Sequence, residues 1–431
     1  MAEAVRISFF SMRSIPIFRP AALVSVLLLL GAGCGSPTSP QITNSVTTST
    51  NTNVGPTSLE EVLPADAVGT IQAWRGSLLG SSETDVWLVS HLNVMPGDRP
   101  AVRGLFAERG SSRRGNLMSQ SMTPSGFTFS FNWGPEEDNQ GYGTTTHIRT
   151  SMGDTLQGEV TMGSSTHAFT LYPASSLPSF ALRRVATSTY DGDKERCSFS
   201  VEYPELLPSS LISQSLPIPD QVREAINANI LQSLQSGTST LPLQAQAFLS
   251  DCQSQLADLK KENPDALPES AFYTQTVEPD VAFANNQVIS LVFLNYSYTG
   301  GAHGNYGYDA HTYDLQTGKE LTLADLVQSD KLQDFYRLVS IKLLNTNRDL
   351  LFPETVTDIE TFLKSKATTS TQAQLESYGH LSNWYLTPQG IVFFYNPYEI
   401  APYAAGVQEI TLPLSTWQSF AKSETISRLT P

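Results

Sequence analysis

A long series of alternating apolar and polar residues in the first half of the chain limits the folds that this half can adopt. Between about residues 59 and 175, short alternating segments such as TDVWLVSHLNV, GFTFSFNW and STHAFTLY are separated by Gly, Asp, Pro and Asn. A period of two residues is typical of strands with one buried face, and closely spaced turn residues favour strands that follow one another in antiparallel order. The pattern predicts an all-β domain over residues 59–175, built as an antiparallel meander or small barrel.

The second half of the chain mixes helical and strand patterns. DQVREAINANILQSL places Val222, Ile226 and Ile230 at successive steps of four, which indicates an amphipathic helix with Asp220 as its N-cap. A second helix is predicted after Pro242, followed by strands that include VISLVFLNYSY, NWYLT and IVFFYN. Helices combined with antiparallel strands predict an α+β module in which the helices cover a sheet face.

The N-terminus has the pattern of an export signal. Three arginines precede the apolar run AALVSVLLLLGAG, which ends at Cys34 and is short for a membrane span. LGAGC resembles the bacterial lipoprotein box, in which the cysteine receives a diacylglycerol, although Gly31 stands where the box usually has Leu. We expect residues 1–33 to be a lipoprotein signal peptide, with a plain secretory peptide as the alternative. Residues 34–58, beginning with the lipidated Cys34, are expected to be a disordered tether.

The acidic balance of the chain bears on its partners. The formal charge is −15, and it becomes −17 without residues 1–33, which hold three arginines and one glutamate. This charge argues against binding to nucleic acid and against adsorption to anionic lipid; it favours a basic partner or simple solubility. We therefore expect an exported protein held to a bacterial membrane by its lipid, on the periplasmic or cell-surface side.

Two cysteines remain after lipidation. Cys197 lies on the apolar face of a predicted strand, and Cys252 lies on the apolar face of the second predicted helix. In an exported protein, two core-facing cysteines on neighbouring elements favour a disulfide. Two buried free thiols are the alternative.

Common catalytic motifs do not occur in the sequence: it has no H-E-x-x-H, G-x-S-x-G, C-x-x-C, P-loop or dinucleotide motif. The segment SFAK matches Ser-x-x-Lys without a companion motif, so we expect neither an enzyme nor a cofactor. The alternative is a metal-dependent envelope polysaccharide hydrolase with His303 and His311 as ligands, completed by Asp309 or His380. Hydrogen bonds from these histidines to backbone around a glycine-rich turn are the simpler interpretation.

Two segments rich in tyrosine and glycine, YTGGAHGNYGYDAHTYD and NPYEIAPYAAG, are the candidate binding loops. Tyrosine supplies contact area at low entropic cost, and glycine lets backbones approach closely; core packing of some tyrosines is the alternative. Both segments follow predicted strands, so we expect them at neighbouring ends of one sheet. The candidate residues are Tyr298, Gly300, Gly301, His303, Asn305, Tyr306, Tyr308, His311, Tyr395, Asn396, Tyr398, Glu399 and Tyr403.

These two segments also carry a family resemblance. YTGGAHGNYGYDAHTYDLQTGKELTLADL and LTPQGIVFFYNPYEIAPYAAGVQEITLPL resemble the extracytoplasmic domain of RsiV, the lysozyme-sensing anti-sigma factor, and VEYPEL with INANI resembles the companion domain found there and in the deacetylase PdaC. The resemblance spans about residues 180–414. It implies a companion domain at 178–285 and an RsiV-like domain at 286–420, noncatalytic and binding a lysozyme-like protein or peptidoglycan. No sigma-binding or deacetylase segment is recognised in the sequence, so we do not expect the protein to release a sigma factor or to carry out the deacetylase chemistry.

Overall fold

The structure, a computed structural model, describes residues 66–78, 83–91, 102–108, 114–123, 126–132, 140–150, 153–208, 216–262, 267–365 and 383–429. The predicted signal peptide, Cys34 and the tether lie outside these residues, as does His380. Within the described ranges, no helix is both long and apolar enough to cross a membrane.

Eight strands form the N-terminal part of the described chain. Each pairs with the next in antiparallel order, and the first also pairs with the eighth, which closes a barrel. Inward side chains such as Trp74, Phe106 and Phe129 fill its core. The predicted meander or small barrel is confirmed. The strands are β1 (Gly69–Ser77), β2 (Glu83–His91), β3 (Val102–Glu108), β4 (Arg114–Thr123), β5 (Gly126–Asn132), β6 (Gln140–Thr150), β7 (Gly153–Met162) and β8 (Ser165–Pro173).

Five more strands continue the same sheet beyond β1. The strand β9 pairs with the first half of β1, β10 pairs antiparallel with β9, and β11 pairs parallel with β10. The last two strands complete the sheet in antiparallel order, so β13 is its outermost strand. These strands are β9 (Phe180–Asp191), β10 (Lys194–Leu206), β11 (Tyr273–Ala284), β12 (Val288–Tyr298) and β13 (Asn305–Asp314).

Two long helices cover one face of this extension. The helix α1 (Asp220–Ser233) buries Ile226 and Ile230, as its sequence predicts, but it begins at Asp220 itself, with Pro219 as the N-cap residue. The helix α2 (Leu241–Glu262) follows. Both contribute side chains to a core shared with Phe199, Leu291 and other residues of the sheet.

A second, three-stranded sheet packs on the opposite face. It consists of β14 (Trp384–Thr387), β15 (Gly390–Tyr395) and β16 (Gln408–Pro413). One of its faces, with Val392 and Phe394, meets Val292 and Ala310 of the large sheet. Its other face meets the remaining helices across a second core. The helices are α3 (Leu323–Leu326), α4 (Leu332–Asn347), α5 (Pro353–Lys364), α6 (Leu414–Trp417) and α7 (Ser423–Leu429), with short 3-10 turns at Ser329–Lys331, Arg348–Leu350 and Tyr403–Ala405.

The C-terminal half is therefore a stack of helices, sheet, sheet and helices, and the predicted α+β class is confirmed. The expected domain limits stay a prediction. The boundary expected between residues 285 and 286 falls in the turn between β11 and β12, which are paired strands of one sheet.

A buried ion-pair network joins the barrel to the sheet extension. Arg103 of β3 contacts Asp280 at 2.7 Å and Glu278 at 3.3 Å on β11, and it lies 3.7 Å from Glu202 of β10. Glu202 also pairs with Arg184 at 2.9 Å. Burial and the two neighbouring carboxylates raise the pKa of Asp280 to about 6, against the opposing effect of Arg103. The barrel is thus held over the β10–β11 face by charge as well as by the continuous sheet.

The cysteines predicted to pair form a disulfide between β10 and α2. Cys197 and Cys252 have Cα atoms 6.1 Å apart and are 55 residues apart in sequence. Tyr273 and Leu256 pack beside the bond in a small core. The bond fixes α2 against the sheet at the point where β11 begins.

Removing this bond should destabilise the protein markedly. A crosslink over a loop of this length lowers the entropy of the unfolded chain and contributes about 4 kcal/mol. We expect the double variant Cys197→Ser with Cys252→Ser to lose free energy of unfolding of about that size in urea titration. Chemical reduction of the wild type should give the same loss, whereas an unchanged midpoint after reduction would contradict it.

Candidate functional site

The two tyrosine-rich loops meet at one end of the molecule. Tyr403 stacks on His303, with ring centroids 3.9 Å apart and planes at 20°. Tyr306 packs edge-on against the Tyr403 ring, with ring centroids 5.7 Å apart, and Tyr398 packs against the Tyr403 ring at the same centroid distance of 5.7 Å. We call these four residues the aromatic cluster. The expected proximity of the loops is found, but the expectation that they end strands of one sheet is wrong, because the first loop adjoins β13 of the large sheet and the second follows β15 of the small one.

Asn396 joins the second loop to the outer edge of β13. Its Oδ1 accepts the Tyr308 N–H at 2.7 Å, and its Nδ2 donates to the Tyr308 carbonyl oxygen at 3.0 Å. The amide side chain thereby takes the place of a neighbouring strand at this residue. The backbone N–H of Asn396 donates to Glu399 at 2.9 Å, which folds the loop back on itself. Burial raises the pKa of the Glu399 carboxyl, although these contacts with Asn396 oppose the rise.

A second polar contact fixes the ring at the centre of the cluster. The Tyr403 hydroxyl donates to the Gly304 carbonyl oxygen at 2.6 Å. A Cβ atom at Gly304 would lie 2.5 Å from the Tyr296 hydroxyl oxygen, so a larger residue here would displace the Tyr296 ring. The glycine content of the first loop predicted a close approach to the backbone. Such an approach is found at Gly304, which the Tyr296 ring contacts.

Tyr398 is strained and exposed at once. Among the described residues it is the only non-glycine with a positive φ, at 71°. Its side chain nevertheless remains 56% exposed. A left-handed backbone costs a side-chain-bearing residue about 1 kcal/mol or more, and such strain concentrates at functional sites. The loop therefore holds a large aromatic ring toward solvent at an energetic cost.

The remaining candidate residues serve different roles. Tyr298 is buried, stacks on Phe272 at 4.5 Å and donates from its hydroxyl to the Gly301 carbonyl oxygen. Gly300 and Gly301 both have positive φ in this turn between β12 and β13. Tyr395 is fully buried in the core under the small sheet, so packing, the alternative considered for some tyrosines, applies to it.

His311 lies apart from the aromatic cluster. Its Nδ1 lies 2.7 Å from Glu320 Oε1, and its Nε2 lies 3.2 Å from Asp309 Oδ2. Burial alone would lower the pKa of His311, but the two carboxylates outweigh it and raise the pKa to about 9. The imidazole is therefore a partly buried cation at neutral pH, with both nitrogens engaged.

The geometry argues against a metal site on the two histidines. His303 precedes β13 and His311 lies in its second half, so the strand rise of about 3.3 Å per residue separates them by roughly 20 Å. The Nδ1 of His303 lies 2.9 Å from the Gly304 carbonyl oxygen, which agrees with the simpler interpretation of a backbone contact. The described ranges contain no group of three or more potential metal ligands. In SFAK, Lys422 donates to the Ala324 carbonyl oxygen at 2.7 Å.

A cavity of about 290 Å³ adjoins the aromatic cluster on strands β11 to β13. Two candidate residues, Asn305 and Tyr306, line it, together with Gln275 and Thr276 of β11. Sequence reasoning missed the β11 residues because they lie in a separate segment without unusual composition. Only the parallel pairing of β11 with β10 and its antiparallel pairing with β12 bring them to this place.

Two family models match the part of the chain that carries these features. One, described as deacetylase PdaC, matches residues 191–306, and the other, described as a protein of unknown function (DUF3298), matches residues 325–415. His303 and Tyr306 thus come from the first matched region, and Tyr398 and Tyr403 from the second. The chain combines a PdaC-type region with a DUF3298-type region, and the aromatic cluster forms where they meet.

Solved structures give a weaker likeness. A member of the DUF3298 family from Bacteroides fragilis has 19% identity and a TM-score of 0.44, covering 60% of this chain and 99% of its own. A DUF3298 family protein from Pseudomonas aeruginosa has 15% identity and a TM-score of 0.37, covering 58% of this chain and 97% of its own. The comparison with curated proteins found no match. The more specific RsiV assignment stays a prediction.

The charged state of His311 should make stability depend on pH. In the folded protein the pKa of His311 is about 9, above its ordinary value of 6.5. Its contribution to the free energy of unfolding is therefore complete below pH 6.5 and is lost as the pH rises through 9. We expect a loss of roughly 2 kcal/mol over this range, because both carboxylates are about half exposed and weaken the pairing. Urea titrations at several pH values measure it.

Two variants isolate this effect. His311→Gln should flatten the pH profile between 6.5 and 9, and the double variant Asp309→Asn with Glu320→Gln should do the same. His167→Gln on β8 is the control that keeps the slope. An equal slope in wild type and His311→Gln would show that another group is responsible.

Proposed function

We propose that this protein is a noncatalytic binding protein of the bacterial cell envelope, exported by residues 1–33 and lipid-anchored at Cys34. Its ligand is a lysozyme-like protein or peptidoglycan, and the aromatic cluster is the contact surface. The observation that carries the proposal is Tyr398, an exposed ring held at positive φ beside three packed aromatic rings. The PdaC-type and DUF3298-type matches and the sequence resemblance to RsiV support an envelope location.

Preorganisation of the cluster supports binding. Tyrosine is enriched where binding energy concentrates, because it offers apolar area and a hydroxyl with few rotatable bonds. The cluster rings are already held by stacking and by the bond from Tyr403 to Gly304. Little side-chain entropy then remains to be lost when a ligand binds.

The charge of the protein supports a basic protein ligand. The resemblance implies lysozyme as the ligand, and lysozyme is a basic protein. This chain has a formal net charge of −17 once residues 1–33 are removed. Opposite net charges accelerate encounter at low ionic strength. Glu399 follows Tyr398 directly in sequence, so a carboxyl group also lies at the proposed surface.

The positions of the histidines support the noncatalytic part of the proposal. His303 stacks in the cluster with its Nδ1 near a carbonyl oxygen, and His311 is held between two carboxylates. The competing hydrolase required the two to share a metal. Metal analysis of the purified protein distinguishes the hypotheses, since a catalytic site would retain near-stoichiometric metal.

Calorimetric titration with a c-type lysozyme tests the proposal. We expect micromolar or tighter binding by the protein lacking residues 1–34, with lysozyme inhibition in parallel. Raising the salt from ~0.05 to ~0.5 M should weaken binding, since screening shortens the range of charge attraction. If lysozyme does not bind, pull-down with peptidoglycan sacculi tests the other ligand, and failure of both contradicts the proposed function.

Tyr398→Gly is the most informative variant for the same titration. Glycine accepts the positive φ, so the backbone is relieved while the exposed ring is lost. We expect thermal stability to be kept or raised and affinity to fall about tenfold or more, as for a central aromatic contact. Tyr142→Ala, which removes another exposed tyrosine from barrel strand β6, is the matched control and should bind normally.

A further inference from the structure

The cavity on β11 to β13 has a lining without charge. Its polar side chains come from Gln275, Thr276, Asn295, Ser297 and Asn305. The tyrosines Tyr296 and Tyr306 and the backbone of Gly307 complete it. None of the eight lining residues is Asp, Glu, Lys, Arg or His, although the chain as a whole carries a formal charge of −15.

The strand register explains how these residues converge. Gln275, Ser297 and Asn305 are directly opposed on the three strands, and side chains of opposed residues share a face. Asn295 and Gly307 are opposed two residues further along, on the same face. Four amide or hydroxyl side chains therefore stand together. The fifth position of this set is Gly307, where an added Cβ would lie 3.0 Å from the side-chain amide of Asn396.

The intervening row connects the cavity to the aromatic cluster. Tyr296 and Tyr306 are opposed to each other on the other face of the sheet. The Tyr306 ring belongs to the cluster, where it meets Tyr403 at 5.7 Å. The cavity and the cluster thus share β13 and Tyr306, and the two rows point to opposite faces of the sheet.

We propose that this cavity is a subsite for one unit of a neutral saccharide. Sugars present closely spaced hydroxyl groups that both donate and accept, and side-chain amides and hydroxyls also do both. Because the lining carries no charge, it offers no counter-ion for a phosphate or a carboxylate and no anionic ligand for a metal. Its volume, at the lower end for small-molecule sites, suits a single small unit.

This inference deepens the proposed function by naming a ligand class for a second site on β13. It rests on that function only for the source of the sugar. It does not require lysozyme binding. Glycan chemistry without charge predicts binding that is insensitive to salt, whereas capture of a basic protein is weakened by salt. The two claims can therefore fail separately.

Calorimetry and protein-observed NMR with two free oligosaccharides test the subsite on the protein lacking residues 1–34. Chitotriose carries acetamido groups, and cellotriose carries hydroxyl groups alone. We expect saturable one-site binding of chitotriose, unchanged between ~0.05 and ~0.5 M salt. Equal binding of cellotriose would still support a neutral-sugar site and would show that the site does not recognise the acetamido group. Absence of saturable binding by both would overturn the proposal.

Variants locate the site. Gln275→Ala and Asn295→Ala should each weaken binding about threefold to tenfold, as expected for the loss of one hydrogen bond. Ser297→Trp, which fills the space between its neighbours in the row, should abolish it. Asn286→Ala, in the exposed turn at the other end of the same hairpin, is the matched control. Full binding by a folded Ser297→Trp protein would overturn the assignment to this cavity.

Tyr398→Gly separates the two claims. It should lose affinity for lysozyme and keep affinity for chitotriose, because Tyr398 does not line the cavity. If the wild-type protein binds lysozyme but neither sugar, only the proposed subsite is ruled out. Sugar binding without lysozyme binding would leave the subsite and redirect the proposed function to peptidoglycan.

Discussion

The exposed edge of β13 is the constraint on which the rest of the site depends. An outermost strand presents unpaired N–H and C=O groups that must be covered or satisfied. Near its end, Leu321 donates its N–H to the Thr312 carbonyl oxygen at 2.7 Å, so the chain covers its own edge. Near its middle, Asn396 does so with two hydrogen bonds to Tyr308. Asn396 begins the second tyrosine-rich loop. Its hydrogen bonds to Tyr308 therefore both protect the strand edge and position the aromatic cluster.

The proposed contact surface, the aromatic cluster, therefore depends on both sheets. The small sheet can place Asn396 only because Val392 and Phe394 pack against the large sheet just before it in the chain. Their burial fixes the loop at its origin, and the strain at Tyr398 is maintained by that support. A surface preorganised in this way favours recognition of a defined ligand. The contact of Tyr306 with Tyr403 joins residues of the two matched family regions.

Sequence periodicity predicted much of the fold and less of the site. Alternation identified the barrel strands, apolar runs identified β12 and β15 as strands, and step-of-four spacing identified α1 with Ile226 and Ile230. Alternation does not say which strands pair, so the parallel pairing of β10 with β11 and the division into two sheets were not predicted. Composition likewise could not separate buried Tyr395 from exposed Tyr398, because only the register and the loop backbone distinguish them.

Hydrogen exchange at the Tyr308 amide, measured together with lysozyme affinity in Asn396→Ala, tests whether edge protection and ligand binding depend on the same contact. In the wild type the Asn396 side chain holds this amide, so exchange should be slow. In the variant we expect exchange about fivefold to tenfold faster, as for the loss of one hydrogen bond, with a parallel fall in affinity. Faster exchange with unchanged affinity would contradict the account, because it would show that the edge contact and the binding surface are independent.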